Sequence, residues 1–197
     1  MIDFERGCSL AYHLLQCRYI EGDVVEFGTY NGNTALFMAS LTEKQLWLFD
    51  AFSGLPEKKA VDGNDPTFKM GTLATSVENV IKAFREFGLP QPKIISKWFK
   101  DVTPDDLPTH IAFAHLDGDF HDSIFDSLVA VYPRVSKGGV VIIDDYHHYG
   151  LPGVKTAVDA YLRDKPEKIL TPIGKMGPDG ARQGPDGKML HALFVKH

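Results

Sequence analysis

Short apolar segments alternate with helical segments along this chain, and this alternation restricts the fold more than any other feature. Five apolar segments are predicted to be strands, at residues 23–27, 45–49, 93–96, 111–116 and 139–143. Helical periodicity or helix-capping residues mark the segments between them. Strands that alternate with helices predict a parallel sheet covered by helices on both faces. The binding site of such a sheet lies at the carboxyl ends of its strands.

The helical segments and the C-terminal region complete this prediction. Helices are expected at residues 4–20, 34–41, 75–87, 122–132 and 152–162. Two further strands are predicted at 168–173 and 190–196, and the turn sequence Gly-Pro-Asp-Gly occurs twice between them, at 177–180 and 184–187. Glycine, proline and aspartate favour turns, so we expect a hairpin connection there. The predicted fold is a doubly wound, Rossmann-like, mostly parallel sheet of seven strands with one antiparallel strand.

Length and charge limit the possible functions. The 197 residues fit one domain, residues 1–197. A net charge of −5 and a pI near 5.9 give no basic surface, so nucleic acid is not an expected partner. No apolar run approaches the ~20 residues that span a bilayer, and the first six residues do not resemble a signal peptide. Cys8 and Cys17 fall on opposite sides of a predicted helix, which argues against a disulfide and for a cytoplasmic protein.

A glycine-containing turn follows the first predicted strand. Gly28 and Gly32 are spaced Gly-x-x-x-Gly, which is neither the dinucleotide motif nor a phosphate loop. Glu26, just before the first glycine, suits a positively charged ligand, and an adenosylated methionine carries positive charge on its amino group and on its sulfonium sulfur. Asp50 ends the second strand, where a carboxylate can accept hydrogen bonds from ribose hydroxyls. These features predict an adenosyl ligand without phosphates, S-adenosylmethionine; the alternative is an ordinary turn beside a surface acid.

Two pairs of acids end neighbouring strands. Asp117 and Asp119 follow the fourth strand, and Asp144 and Asp145 follow the fifth. Adjacent strands lie about 4.8 Å apart, so unpaired carboxylates there would repel and raise one another's pKa values. A divalent cation would relieve this repulsion, and oxygen ligands favour Mg²⁺ over zinc. The alternative is that some of these acids cap helices or turns.

A magnesium ion at this position could bind two substrate oxygens and lower the pKa of a hydroxyl. Asp119 is then our first candidate for the base that takes the proton. His121 and His147 are alternatives, because an imidazole titrates near pH 6.5. Residues 53–72 are rich in glycine, proline and charge, and loops of that length often cover active sites.

The residues of several motifs, and the order of these motifs along the chain, resemble those of the macrocin O-methyltransferase (TylF-like) family of sugar methyltransferases. The motifs span residues 25–146 and are Glu26-Phe27-Gly28-Thr29-Tyr30-Asn31-Gly32, Phe49-Asp50-Ala51-Phe52-Ser53-Gly54-Leu55-Pro56-Glu57, Trp98-Phe99-Lys100-Asp101-Val102, Leu116-Asp117-Gly118-Asp119-Phe120-His121-Asp122-Ser123, and Tyr132 to Gly139 running into Ile143-Asp144-Asp145-Tyr146. The combination of Asp-Gly-Asp with Asp-Asp-Tyr is fairly specific, whereas the glycine loop alone is not.

This resemblance implies a class I methyltransferase fold and an S-adenosylmethionine-dependent O-methyltransferase that uses Mg²⁺. It implies metal ligands at Asp117, Asp144 and Asp145, a base at or near Asp119, and a lid at residues 57–75. The acceptor would be a small molecule, a sugar or other natural product, and related enzymes are often homodimers or larger. The candidate cofactor-binding residues are Glu26, Gly28, Thr29, Tyr30, Gly32, Asn33, Thr34, Asp50, Ser53, Trp98 and Asp117.

The chain departs from the family pattern at four positions, which leaves the acceptor open. His121 stands where the family usually has Tyr, Asn31 where it has Arg, Val102 where it has Thr, and Lys97 where Gly is commoner. Three other functions are alternatives: a metal-dependent hydrolase that uses the same acids, a non-catalytic cofactor-binding domain on the same fold, and a nicotinamide dehydrogenase. The last is weakest because the diphosphate loop is missing.

Overall fold

A computed structural model describes residues 4–172 and 190–197, which contain five α-helices and six strands. The strands are Asp23–Phe27 (β1), Leu46–Asp50 (β2), Lys93–Ser96 (β3), Ile111–Leu116 (β4), Val135–Ile143 (β5) and Ala192–Val195 (β6). The helices are Phe4–Gln16 (α1), Asn33–Ala39 (α2), Val77–Glu86 (α3), His121–Val131 (α4) and Pro152–Leu162 (α5). The predicted strand–helix alternation is therefore confirmed.

All the strands belong to one sheet in the order β3-β2-β1-β4-β5-β6. Every pairing is parallel except that of β5 with β6, which is antiparallel as predicted. After β3 the chain returns to the other side of β1 to form β4, so the order reverses between these two central strands. In open parallel sheets, ligands bind at such a reversal point, outside the carboxyl ends of the strands.

The prediction of a seventh strand at 168–173 was wrong. In the described part of this segment, only Leu170 pairs with the sheet, through an isolated antiparallel bridge to Leu193. Its two backbone hydrogen bonds measure 2.8 and 2.9 Å. Pro166 and Pro172 flank the bridge and have no N–H to donate, which prevents a longer ladder. The Gly-Pro-Asp-Gly turns at 177–180 and 184–187 lie outside the described residues.

The sheet separates two apolar layers because side chains alternate across each strand. One layer packs α4 and α5 against residues such as Phe27, Leu116 and Ile143. The other packs α1, α2 and α3 against residues such as Leu48 and Phe113. The central strand β4 is buried along its whole length, as a parallel strand covered on both faces must be.

Cys8 is exposed and Cys17 is buried, and the two thiols do not form a disulfide. Among the described residues, no helix is both long enough and apolar enough to cross a bilayer.

Gly28 directly follows β1 and has a φ of 92°, in the left-handed region that glycine tolerates best. A Cβ atom built at this position would lie 1.8 Å from the Asp117 carbonyl oxygen. The backbones that follow β1 and β4 therefore approach too closely for any side chain. This contact places the glycine loop directly beside the first acid of the Asp-Gly-Asp motif.

We expect Gly28→Ala to lower the free energy of unfolding by at least about 3 kcal/mol, because a backbone atom must move to admit the methyl group. Gly71→Ala is the matched control, since Gly71 also has a positive φ, 78°, but its Cβ would meet nothing within 4 Å. The control should cost only the conformational strain, about 1–2 kcal/mol. Denaturant titration of both variants measures the difference, and equal losses would refute the steric explanation.

Candidate active site

A cavity of about 840 Å³ opens at the carboxyl edge of the sheet. The segments that follow β1, β2, β4 and β5 form its floor, and the loop after β2 covers one side. The predicted lid, residues 57–75, contributes Glu57, Lys59, Asp62, Met70, Gly71 and Leu73 to the lining. The structure therefore brings the glycine loop, the acids and the long loop around one space.

Asp50 holds the glycine loop in place. One carboxylate oxygen accepts hydrogen bonds from the backbone N–H groups of Thr29 and Tyr30, each at 2.9 Å. The other oxygen accepts from Phe52 N–H at 2.7 Å. Tyr30 and Phe52 both have a positive φ, 46° and 57°, which costs free energy in a residue with a side chain. The carboxylate stabilises these two strained turns and lines the cavity as well.

Glu26 lies beneath the loop rather than in the cavity lining. It is 1% exposed, and one of its oxygens lies 3.2 Å from His115 Nδ1, on the neighbouring strand β4. Burial raises the pKa of Glu26, and the hydrogen bond with His115 lowers it in part. Within the described part of the chain, the second Glu26 oxygen and the Thr29 hydroxyl have no hydrogen-bond partner. His115 was missed by the sequence analysis because only strand register places it opposite Glu26.

Three carboxylates meet where β4 and β5 end. One oxygen each from Asp117, Asp119 and Asp145 lie within 4.8 Å of one another. The pairing of Leu116 with Ile143 brings the ends of the two strands together, as the sequence predicted. Asp119 and Asp145 adopt positive φ angles of 57° and 54°, so both side chains are held by strained turns.

Asp144 makes a different contact from the other acids. Both its oxygens accept hydrogen bonds from one Arg6 guanidinium nitrogen, at 2.9 and 3.0 Å. The same nitrogen lies 3.6 Å from an Asp145 oxygen. Arg6 lies on α1, 138 positions earlier in the chain, and no local pattern in the sequence indicates this pair. Arg6 is thus the one basic group that the described residues bring into direct contact with these acids.

The charges of the cluster shift the pKa values in opposite directions. Burial and the neighbouring carboxylates raise the pKa values of Asp117 and Asp145 well above their usual range. Burial, Asp144 and Asp50 raise the pKa of Asp119 to about 7. Burial would also raise the pKa of Asp144, but the Arg6 guanidinium, together with His115 and His191, outweighs it and the pKa is lowered. Asp117, Asp119 and Asp145 therefore resist ionisation unless a cation binds among them.

Other predicted residues divide between the cavity and its surroundings. The lining includes Gly28, Thr29, Tyr30, Asn33, Thr34, Ser53 and Trp98, but not Gly32. Gly32 precedes α2 with a φ of 80°. His121 and His147 do not line the cavity either: His121 contacts Asp122 at 2.9 Å, and His147 contacts the Thr171 hydroxyl at 3.0 Å. Of the three candidate bases, only Asp119 faces the open space.

Sheet order, glycine loop and acidic edge together define the fold of the class I methyltransferases. A family model described as macrocin O-methyltransferase (TylF) matches residues 11–181. The chain therefore belongs to the macrocin O-methyltransferase family, as its motifs predicted.

Two curated relatives show how far the similarity extends. The first is 8-demethyl-8-(2,3-dimethoxy-α-L-rhamnosyl)-tetracenomycin-C 4'-O-methyltransferase of Streptomyces olivaceus, 36% identical over 140 residues, or 64% of this chain and 54% of that protein. The second is demethyldecarbamoylnovobiocin O-methyltransferase of Streptomyces niveus, 35% identical over 156 residues, or 72% of this chain and 58% of that protein. The matched region thus spans little more than half the length of each relative.

Solved structures support the same fold. The O-methyltransferase NovP superimposes with a TM-score of 0.78 at 27% identity, over 99% of this chain and 81% of that chain. CalS11, a calicheamicin methyltransferase, gives a TM-score of 0.74 at 20% identity, over 97% of this chain and 78% of that chain. At 20% identity the second likeness shows the fold alone.

We expect Asp119→Asn to stabilise the metal-free protein at about pH 8, with a gain that shrinks toward about pH 5. The pKa of Asp119 is about 7 in the folded protein, whereas its ordinary value is 3.8. Between these values the folded protein holds a proton that the unfolded chain has lost, so stability falls as the pH rises. Thermal unfolding with a chelator present measures the effect. Asp105→Asn, at an exposed site, is the control, and a pH-independent gain in Asp119→Asn would refute the assignment.

Proposed function

We propose that this protein is an S-adenosylmethionine-dependent, Mg²⁺-dependent O-methyltransferase that acts on a hydroxyl of a sugar or another small natural product. One observation carries the proposal: the loop that Asp50 holds and the cluster of Asp117, Asp119 and Asp145 line the same cavity. Methyl transfer is an in-line displacement, so an enzyme promotes it mainly by aligning donor and acceptor. A cavity with a donor end and an acceptor end suits this chemistry.

The donor end is the glycine loop with Asp50. S-adenosylmethionine, when bound, supplies the methyl group from its sulfonium sulfur, which leaves as a neutral thioether. Gly28, Thr29, Tyr30 and Asp50 would hold it, because this loop presents backbone close to the cavity and a carboxylate suited to ribose hydroxyls. Thr29 lines the cavity, and its buried hydroxyl has no hydrogen-bond partner among the described residues, so a ligand or water could complete it.

The acceptor end is the acidic edge. Oxygens of three carboxylates lie within 4.8 Å of one another. Burial and the neighbouring carboxylates raise the pKa values of Asp117 and Asp145. Carboxylate oxygens are the ligands that Mg²⁺ prefers, so this cluster fits the ion. Asp117 and Asp145 would hold the ion, and Asp144 would complete its acidic surroundings while paired with Arg6. Bound Mg²⁺ would orient an acceptor and lower the pKa of its hydroxyl.

Asp119 would accept the hydroxyl proton. It lines the cavity beside Asp117 and Asp145, where its carboxylate can take a proton from an acceptor hydroxyl. One Asp119 oxygen also lies within 4.8 Å of an oxygen of Asp117 and of Asp145, so the proposed base is adjacent to the proposed metal site. His121 and His147 are turned toward Asp122 and Thr171 and are less suited to this role.

Relatives suggest the class of acceptor. The names of the Streptomyces olivaceus and Streptomyces niveus enzymes describe O-methylation of natural products, one of them at a rhamnosyl group. We propose a cytoplasmic enzyme that acts on a small-molecule acceptor of this kind and assembles as a homodimer or higher homo-oligomer. Family membership favours methyl transfer over the metal-dependent hydrolase that the acids alone would also allow.

Calorimetry with S-adenosylhomocysteine tests the donor site. The unmodified protein should bind it, and Asp50→Ala should weaken binding by about tenfold or more, because a charged acceptor of several hydrogen bonds is lost. Asp105→Ala, at an exposed site outside the cavity, should bind as tightly as the unmodified protein. If the unmodified protein does not bind S-adenosylhomocysteine, the proposed function is wrong; if Asp50→Ala binds normally, Asp50 does not contact the ligand.

Two isosteric substitutions separate the base from the metal ligands. Asp119→Asn should reduce methyl transfer from labelled S-adenosylmethionine by about a hundredfold or more, with Mn²⁺ binding changed only a few-fold. Asp117→Asn should lose Mn²⁺ affinity by at least about tenfold together with turnover. A panel of deoxysugar glycosides provides the acceptors for the turnover measurement. If both variants lose Mn²⁺ equally, Asp119 is a ligand rather than the base.

A further inference from the structure

The lid contains one deeply buried carboxylate that the proposed chemistry does not use. Asp62 ends the short 3₁₀ turn Ala60–Asp62 and is 2% exposed, although the loop around it is largely at the surface. One oxygen accepts a hydrogen bond from the backbone N–H of Lys59 at 2.9 Å. The other accepts from the backbone N–H of His121, the first residue of α4, at 2.7 Å. A buried charge needs such partners, and both come from backbone donors.

The contact with α4 is more than a surface hydrogen bond, because this helix has no cap of its own. Phe120 occupies the N-cap position of α4 and has no side-chain oxygen to offer. The first N–H groups of a helix have no partner within it, and an acid near them is favoured by the helix dipole. Asp62 therefore caps α4 from a segment 59 positions away in the chain.

A second helix begins at the same carboxylate. Gly153 is the second residue of α5, and a Cβ atom on it would lie 2.3 Å from the Asp62 carboxylate oxygen that bonds His121. The same Cβ would lie 3.1 Å from the His121 backbone nitrogen. The absence of a side chain at Gly153 thus makes room for Asp62 between the N-termini of two helices. Both helix dipoles favour a negative charge in this place.

This cap lies next to the reacting groups. Asp119, two residues before His121, has a φ of 57°, and the Phe120 N–H bonds the Gly118 carbonyl at 2.6 Å in a very tight turn. A turn with a strained residue keeps its shape only when its surroundings fix both ends. One end of this turn is fixed by the hydrogen bond that the Asp117 N–H donates to the Phe27 carbonyl. The other end is fixed by the capped N-terminus of α4.

We propose that Asp62 is a positioning residue: by capping α4 from the lid, it sets the turn that carries Asp119 and couples that turn to the packing of the lid. The inference rests on the proposed function, in which Asp119 takes the acceptor proton. Other contacts hold the lid at the same place, including the ion pair of Lys59 with Asp122 and the edge-to-face packing of Phe68 on His148. Asp62 differs from them because its partner is the backbone beside the base.

The test compares two independent ways of removing the cap. Asp62→Ala deletes the carboxylate, and Gly153→Ala displaces it without altering it. Gly7→Ala is the matched control, because Gly7 is also a helical glycine and its Cβ would make only a 4.0 Å contact. Asp62→Asn should give partial rescue, since its amide oxygen can still accept the His121 N–H.

Three measurements are made on each full-length variant: amide hydrogen exchange of residues 117–123, tryptic cleavage after Lys58, Lys59 and Lys69, and Mn²⁺ affinity with S-adenosylhomocysteine present. Both cap variants should exchange and cleave at least about tenfold faster than the control and bind Mn²⁺ about tenfold more weakly. Their affinity for S-adenosylhomocysteine should change less than about twofold.

The proposal is overturned if cleavage of the lid accelerates while exchange at 117–123 and Mn²⁺ affinity stay unchanged, because Asp62 would then only anchor the loop. Failure of the unmodified protein to bind S-adenosylhomocysteine or Mn²⁺ would instead refute the proposed function. In that case, unchanged exchange in the cap variants would still refute the capping of the Asp119 turn, and faster exchange would support it.

Discussion

Mutual repulsion among the carboxylates at the ends of β4 and β5 is the constraint on which the rest of the site depends. Parallel pairing of these strands leaves no freedom to separate Asp117 from Asp145, because the ladder fixes Leu116 opposite Ile143. Among the described residues, Arg6 reduces this repulsion, because its guanidinium pairs with Asp144. The remaining three acids keep raised pKa values and form a site suited to a divalent ion.

The acids could not hold this arrangement without support from distant segments. Asp50 accepts hydrogen bonds from three backbone N–H groups around the glycine loop, and Asp62 accepts one from the start of α4. In both places a carboxylate bonds backbone donors beside strained residues, and the chain uses charge to stabilise conformations that residue preference alone would disfavour. Acidic residues in this protein therefore serve structure as well as chemistry.

Comparison of the sequence-based predictions with the structure separates local from long-range information. Strand β1 with its glycine turn, strand β4 and the acids that follow β4 and β5 were predicted at nearly their observed positions, because hydrophobic patterns and turn residues act locally. The segment 168–173 was predicted as a strand, but among its described residues only Leu170 pairs with the sheet, and Pro172 has no N–H to extend the ladder. His115, Arg6 and Asp62 were not recognised, since each acquires its role from a partner far away in the chain.

The sequence by itself determined the order of strands and helices, the family, and the set of acids that reach the carboxyl edge of the sheet. It could do so because these properties follow from short-range patterns and from motifs that stay contiguous in the chain. Only the tertiary structure decided which partner each acid contacts. Asp144 pairs with Arg6, and Asp62 accepts a hydrogen bond from the start of α4. Asp117, Asp119 and Asp145 lie next to one another. The physical reason is that charge pairing depends on separation in space, and the packing of α1, the lid and two strands fixes those separations.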